Sequence, residues 1–269
     1  MTHPGNAGPA ARSRPTDSTR QRRGGGLALA AVAAALLLAP GVAPAGTAEA
    51  AEGQPCTHPY LAPRAGGEWH YRAGMPGLPI LASEDVVRYT DVTPTSFVQV
   101  REVGGDAGRI VQRWSCGANG LSQTAGPLEV IPTDAGVTGT GRMSDVAGVT
   151  LPPPDRWQAG YTWKESFGAK FSGLDVIPGT QPRSEGALER THTIAGQEAV
   201  TVPAGTYNAW RVDTTATGQV TVTLGGQPET LDVTSGRTAW YVEGVGLVKS
   251  VDTLDDMVID QMELLSAAP

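Results

Sequence analysis

Almost every stretch from residue 68 onward that could start a regular element is a short run of Val, Thr, Tyr and Trp, cut off by glycine or proline. β-Branched and aromatic side chains suit a pleated, half-buried surface, and Gly and Pro clusters mark its ends. Helix signals are nearly absent. The pattern therefore predicts an all-β fold with strands at Glu68–Arg72, Asp85–Asp91, Ser96–Val103, Arg109–Ser115, Tyr161–Ser166, Ala187–Ile194, Glu198–Val202, Tyr207–Thr214, Gly218–Leu224, Glu229–Thr234, Thr238–Glu243, Gly246–Val251 and Met257–Leu265. Alternation is clearest in Gly218–Leu224, where Val220, Val222 and Leu224 share one face and Gln219, Thr221 and Thr223 the other, as in a half-buried antiparallel strand. Gly104-Gly105 and Gly225-Gly226 suit tight connections that need positive φ.

The chain also echoes itself. Arg113-Trp114-Ser115-Cys116-Gly117-Ala118-Asn119-Gly120-Leu121 aligns without a gap on Ala239-Trp240-Tyr241-Val242-Glu243-Gly244-Val245-Gly246-Leu247. Upstream of each lies a proline-marked approach to a Trp-containing strand, Leu61-Ala62-Pro63 before Trp69 and Leu151-Pro152-Pro153 before Trp163. This predicts two related antiparallel curved-sheet units, arranged as a half-open barrel or roll: 51–135 the first, 136–150 a linker, 151–269 the second. A loop over Ala169–Gly186 lengthens the second copy.

Ahead of them, residues 1–50 predict a cleavable export signal. Arg12, Arg14, Arg20, Arg22 and Arg23 precede the apolar run Leu27–Ala39, which Pro40 stops. That run is short for a bilayer, which needs about 20 residues, and small residues follow it, placing cleavage after Ala50 or Ala45. Arg22-Arg23 is a weak hint of twin-arginine export. The expected location is secreted or at the cell surface, with no membrane span in the mature chain. Cys56 lacks the Leu and small residues that precede a lipid-attachment cysteine.

Without the signal, 15 Arg and Lys face 25 Asp and Glu. So acidic a surface repels phosphate backbones, which excludes nucleic acid as a partner. Only three of the cations are Lys, and with high Ala, Gly and Pro this suggests a GC-rich bacterial coding sequence. Two cysteines outside the cytoplasm predict one disulfide, Cys56–Cys116, worth about 4 kcal/mol on the chain-entropy estimate.

Val200-Thr201-Val202-Pro203-Ala204-Gly205-Thr206-Tyr207, then Trp240-Tyr241-Val242-Glu243-Gly244-Val245-Gly246-Leu247-Val248-Lys249, resembles the TapB-like group of exported, largely uncharacterised bacterial domains. Tyr207 stands for that group's usual Phe and Glu243 for its usual Pro. The resemblance covers residues 150–265 and implies export and a curved antiparallel architecture, with no catalytic residue. Physically, Pro203 can begin a turn at its fixed φ and Gly205 can take a backbone state costly for other residues. Gly244 and Gly246 would let the strand after Trp240 bend or bulge. These five positions are expected to be architectural.

Catalytic and metal chemistry have little support. His58, His70 and His192 show no ligand spacing, and His192 reads as an ordinary strand residue beside Leu188, Arg190 and Ile194. Asp252, Asp255, Asp256 and Asp260 lack the spacing and glycine of a calcium loop and read as a charged hairpin. No GxSxG elbow is present. Glu165, Glu189 and Asp213 could pair in a glycosidase-like way, but acids this common carry little information. No metal, cofactor or catalytic residue is assigned. The excess of Trp over Phe points instead to a non-enzymatic module binding an apolar or amphipathic ligand or a cell-envelope partner. Its ligand residues are expected at Trp157, Phe171, Leu174 and Trp210, with Trp157 exposed in the PPPDRW approach. The rivals are a secreted hydrolase whose site forms only in three dimensions and a purely structural envelope protein.

Overall fold

The computed structural model describes residues 56–76, 82–104, 108–132, 139–172 and 183–268, so residues 1–50, expected to be an export signal, lie outside it. Thirteen strands form one antiparallel sheet: β1 Glu68–Gly74, β2 Ser83–Thr90, β3 Ser96–Val103, β4 Gly108–Gly117, β5 Gly120–Gln123, β6 Gly126–Pro132, β7 Gly139–Gly148, β8 Thr162–Ser172, β9 Arg183–Val202, β10 Gly205–Leu224, β11 Gln227–Val242, β12 Gly246–Leu254 and β13 Met257–Ala268. Among the described residues, helical structure is confined to a 3-10 turn at Pro154–Arg156. The order is β3-β2-β1-β13-β12-β11-β10-β9-β8-β7-β6-β4-β5, and β4 also pairs with β3, so the curved sheet returns upon itself as a nearly closed barrel.

Several expected strands prove to be pieces of longer ones. Ala187–Ile194 and Glu198–Val202 are both β9, and Tyr207–Thr214 and Gly218–Leu224 are both β10. The glycine read as a break between the first pair is a bulge: Gly196 has φ +141° and the β9–β10 register shifts there. Gly218 sits mid-strand because the backbones approach too closely for a side chain. A methyl group on it would overlap the Ala187 carbonyl of β9.

Two other expectations change. Gly139–Gly148, inside the expected linker, is strand β7, paired with both β6 and β8 and burying Met143 and Val146. Its Gly and Asp content gives weak strand propensity, and pairing overrides it. The expected Ala169–Gly186 loop is also shorter, because Ala169–Ser172 continues β8 and Arg183–Gly186 begins β9.

Alternation places two apolar layers inside the barrel. At one end Trp69, Phe97, Trp163, Ile194, Val248 and Leu264 share a core. At the other, Phe167, Phe171, Leu188, Val220, Val233 and Leu254 form a second. The first end is plugged by the segment around Cys56–Ala62 and by Leu151–Trp157. Tyr60 stacks on Trp157 at 3.8 Å, the Gly244 N–H donates to the Pro59 carbonyl at 2.8 Å, and Trp69 Nε1 donates to the Val245 carbonyl at 2.7 Å. Cys56 and Cys116 form the expected disulfide, which ties this plug to β4. Neither sulfur is therefore a free thiol.

Candidate functional site

Between the two apolar layers the lumen-facing positions turn polar, strand after strand. Along β9 the inward series is Leu188, Arg190, His192, Ile194, and along β8 it is Phe167, Glu165, Trp163. On β11 it is Val233, Ser235, Arg237, Ala239, and on β12 it is Leu254, Asp252, Ser250, Val248. Register aligns these into a ladder: His192 opposes Thr214, Thr214 opposes Arg237, Arg237 opposes Asp252, and Asp252 opposes Asp260. Arg101 of β3 approaches Asp260 at 3.8 Å and pairs with Asp85 of β2 at 2.6 Å, carrying the belt across to the far wall.

The belt is largely self-satisfied. Arg237 donates to both carboxylate oxygens of Asp252, at 3.2 and 3.0 Å. Arg190 donates to Glu165 Oε1 at 3.3 Å and lies 4.7 Å over the Phe167 ring. His192 stacks on Trp163, with Nδ1 2.8 Å from Thr214 Oγ1 and Nε2 3.2 Å from Glu165 Oε1. That second approach is not aligned for a hydrogen bond, and Glu165 Oε2 has no hydrogen-bond partner at all. Burial alone would push the Glu165 carboxyl up, but His192 and Arg190 outweigh it and hold it below its ordinary value. Burial pulls the Arg190 guanidinium down, and it pushes the Asp260 carboxyl up.

This belt lines a cavity of about 150 Å³. Tyr71, Val87, Tyr89, Trp114, Leu151 and Tyr241 supply an aromatic and aliphatic wall, and Glu165, Arg190, His192, Thr214 and Arg237 a polar one. An apolar wall facing a few placed polar groups is the usual make-up of a small-molecule site. Tyr71 donates its hydroxyl to the Leu247 carbonyl at 2.8 Å, so it presents its ring to the cavity with its polar tip occupied.

The sequence-predicted ligand residues lie elsewhere. Trp157 is 7% exposed, which corrects the expectation of an exposed ring. It belongs to the plug, stacked on Tyr60 and edge-on to Tyr241 at 5.6 Å, with Nε1 donating to the Pro152 carbonyl. Trp210, half-buried, packs against the same core. Phe171 is on β8 rather than in a loop, and it is buried in the opposite apolar layer. Leu174 lies outside the described residues. Glu189 faces outward to Lys164 while Glu165 faces in, and Asp213 is paired with Arg211, so these three acids do not converge. Among the described residues no group of three or more His, Cys, Asp or Glu could hold a metal ion. Asp255 and Asp256 form the turn from β12 to β13.

The belt has a signal in the sequence, although no single residue of it stands out. In Leu188-x-Arg190-x-His192-x-Ile194, charged residues share a face with aliphatic ones, a pattern that fits an interior carrying buried charge. The same applies to Trp163-x-Glu165-x-Phe167. Pro203-Ala204 is the two-residue turn between β9 and β10, Gly205 has φ +140°, and Gly244 and Gly246 lie at the turn from β11 into β12. Gly246 also lies against the Leu61 carbonyl, where a Cβ would meet it at 3.1 Å.

No family model matches the chain, and no curated protein matches it. Three solved bacterial structures are similar in outline. One, provisionally described as an exported protein with a YmcC-like fold, is from Bacteroides fragilis, with 13% identity, a TM-score of 0.44, and 78% of this chain and 99% of that one covered. The second, provisionally described as a lipoprotein, is from Parabacteroides distasonis, with 16% identity, a TM-score of 0.38, and coverage of 80% and 100%. The third, the hypothetical lipoprotein YmcC from Escherichia coli, shows 12% identity, a TM-score of 0.36, and coverage of 76% and 85%.

Proposed function

We propose that this chain is an exported, non-enzymatic β-barrel module of the bacterial cell surface or medium that holds a small amphipathic ligand in its lumen. The cavity between the aromatic wall and the charged belt is the observation that carries the reading. Its volume of about 150 Å³ suits one ring or the end of a chain rather than a whole lipid. On β8 and β9 the outer face carries the Lys164–Glu189 and Lys170–Glu185 pairs, and Met257 is the one large hydrophobic strongly exposed among the described residues. A lipid-facing barrel would carry an apolar band there. No described helix is long and apolar enough to cross a membrane.

Export rests on the N-terminal signal reading. The TapB-like resemblance rests on the Val200–Tyr207 and Trp240–Lys249 segments, and membership of that group belongs to this proposal. Titrating the mature protein with benzyl alcohol and toluene, while following tryptophan fluorescence, tests the lumenal site, because Trp114 lines it and Trp163 stacks on His192, which also lines it. Saturable change with either probe supports the reading. Absence of change with both, together with unaltered melting, refutes it.

One observation favours a hydrolase: Thr214, His192 and Glu165 are contiguous in nucleophile, base and acid order. Against it, the His192–Glu165 approach is misaligned and Glu165 also accepts from Arg190. Hydrolysis of p-nitrophenyl acetate above background that disappears in Thr214→Ala would establish that reading instead.

A further inference from the structure

Two buried atoms of the polar wall have no hydrogen-bond partner, Glu165 Oε2 and His192 Nε2. Glu165 is fully buried and lines the cavity, yet only Oε1 is engaged, by Arg190 at 3.3 Å. Its Oε2 is a carboxylate oxygen with no donor, and a buried acceptor left unsatisfied costs free energy comparable to a lost hydrogen bond.

His192 supplies a second acceptor indirectly. Its Nε2 faces a carboxylate oxygen 3.2 Å away, an arrangement that is attractive only if Nε2 carries a proton. In the neutral ring Nδ1 is then a lone pair, so the Thr214 hydroxyl must donate to it across the 2.8 Å contact. That leaves the lone pairs of Thr214 Oγ1 available to the cavity that Thr214 lines. Two acceptor atoms thus flank one imidazole, on the same stretch of wall.

Charge points the same way. Arg101, Arg190 and Arg237 face Asp85, Glu165, Asp252 and Asp260. Three guanidinium groups therefore meet four carboxyls, and even with Asp260 protonated the belt carries no surplus cation. With all four carboxyls ionised and the His192 ring neutral, a cation would complete the pairing of buried charges, whereas an anion would add an unmatched one. Tyr71, Tyr89 and Trp114 also line the cavity, and aromatic rings attract ammonium groups as well as apolar carbon.

We propose that the lumen site recognises a primary amine, its ammonium donating to Glu165 Oε2 and Thr214 Oγ1 and its apolar part lying against Tyr71, Tyr89 and Trp114. This deepens the lumenal reading and rests on it. A cavity of about 150 Å³ accepts a benzene-sized group, so the ligand portion inside is a single ring or a short alkyl segment carrying the amine.

Four probes of one size separate the possibilities: benzylamine, benzyl alcohol, benzoate and toluene, titrated calorimetrically into the mature, disulfide-intact protein. Benzylamine is expected to bind about tenfold or more tightly than benzoate, consistent with one charge-assisted hydrogen bond. Glu165→Gln should erase that preference while leaving toluene affinity within about twofold, since the apolar wall is untouched. Thr214→Val, close in shape and lacking the acceptor, should weaken benzylamine several-fold and spare toluene. It serves as the second test should Glu165→Gln fail to fold. Benzoate binding as well as benzylamine, or benzylamine unchanged in Thr214→Val, would overturn the amine assignment while toluene or benzyl alcohol binding kept the lumenal site. Silence from all four probes would remove the site, and this assignment with it.

Discussion

His58 shows how a single side chain records the plug that covers it. It is 3% exposed, its Nδ1 accepts from the Tyr60 N–H at 3.3 Å, and its Nε2 donates to the Pro152 carbonyl at 2.9 Å. Burial lowers its pKa from 6.5 to about 4, with the Pro152 contact only partly offsetting that. Between those values the unfolded chain binds a proton that the folded one refuses. The neutral form therefore contributes stability that is complete above pH 6.5 and is lost as pH falls toward 4, a change on the order of 3 kcal/mol. Glu165, held below its ordinary value, adds a loss of the same sign at lower pH. Chemical denaturation from pH 7.5 to 4 should show the midpoint falling. A His58→Gln variant should flatten that slope in the upper part of the range, and an unchanged slope would mean that His58 is not the group responsible.

At the scale of elements, the plug and the strands have separable costs. Trp157 is held between Tyr60 and Tyr241, so Trp157→Ala should cost about 3–5 kcal/mol. Calorimetry measures it, and a cost below about 1 kcal/mol would show that the plug is not packed as described. Replacing both cysteines by serine should lower stability by about 4 kcal/mol, because the Cys56–Cys116 bridge closes a separation of 60 residues. The loss should be accompanied by faster amide exchange in residues 56–63. Gly218 tests the other apolar layer: a methyl group there meets the Ala187 carbonyl, and Gly218→Ala should destabilise by about 1–3 kcal/mol despite its better strand propensity.

The tryptophan repeat is also best judged at this scale. β1 to β5 and β8 to β12 follow the same pairing order, and Trp114 and Trp240 fall on the fourth strand of each series. Their faces differ. Trp114 lines the cavity, whereas Ala239 and Tyr241 do so on β11 and Trp240 between them reaches Glu198 and Lys249. The gapless alignment is therefore out of phase by one residue with respect to the sheet face, a shift that sends every side chain to the other side.

For the whole molecule, the closing pair β3–β4 and the shared core set the cooperativity. Trp69, Trp114, Trp163 and Leu264 lie in one apolar cluster, drawn from both of the units proposed from the repeat. Thermal unfolding of residues 51–269 should accordingly show one calorimetric transition with matching van't Hoff and calorimetric enthalpies. Two resolved transitions would mean that residues 51–135 and 151–269 are energetically independent despite the common sheet.

The sequence by itself determined the all-β class, the disulfide, the Pro203–Gly205 turn and the glycine turns at Gly244 and Gly246. These follow from local chemistry: β-branched alternation, two cysteines, fixed or positive φ. It also contained, unrecognised, the inward polar series of β8 and β9. What only the tertiary structure decided is everything that depends on partners distant in the chain. Closure depends on the pairing of β1 with β13, strands far apart in the chain that no local pattern brings together. Trp157 looked exposed because proline-rich approaches usually are, and it is buried because the segment before β1 folds over it. The belt exists because register sets Thr214 between His192 and Arg237, and Arg237 opposite Asp252. Each of these residues alone is an ordinary strand residue, and only cross-strand alignment inside a closed sheet turns them into one wall of a cavity.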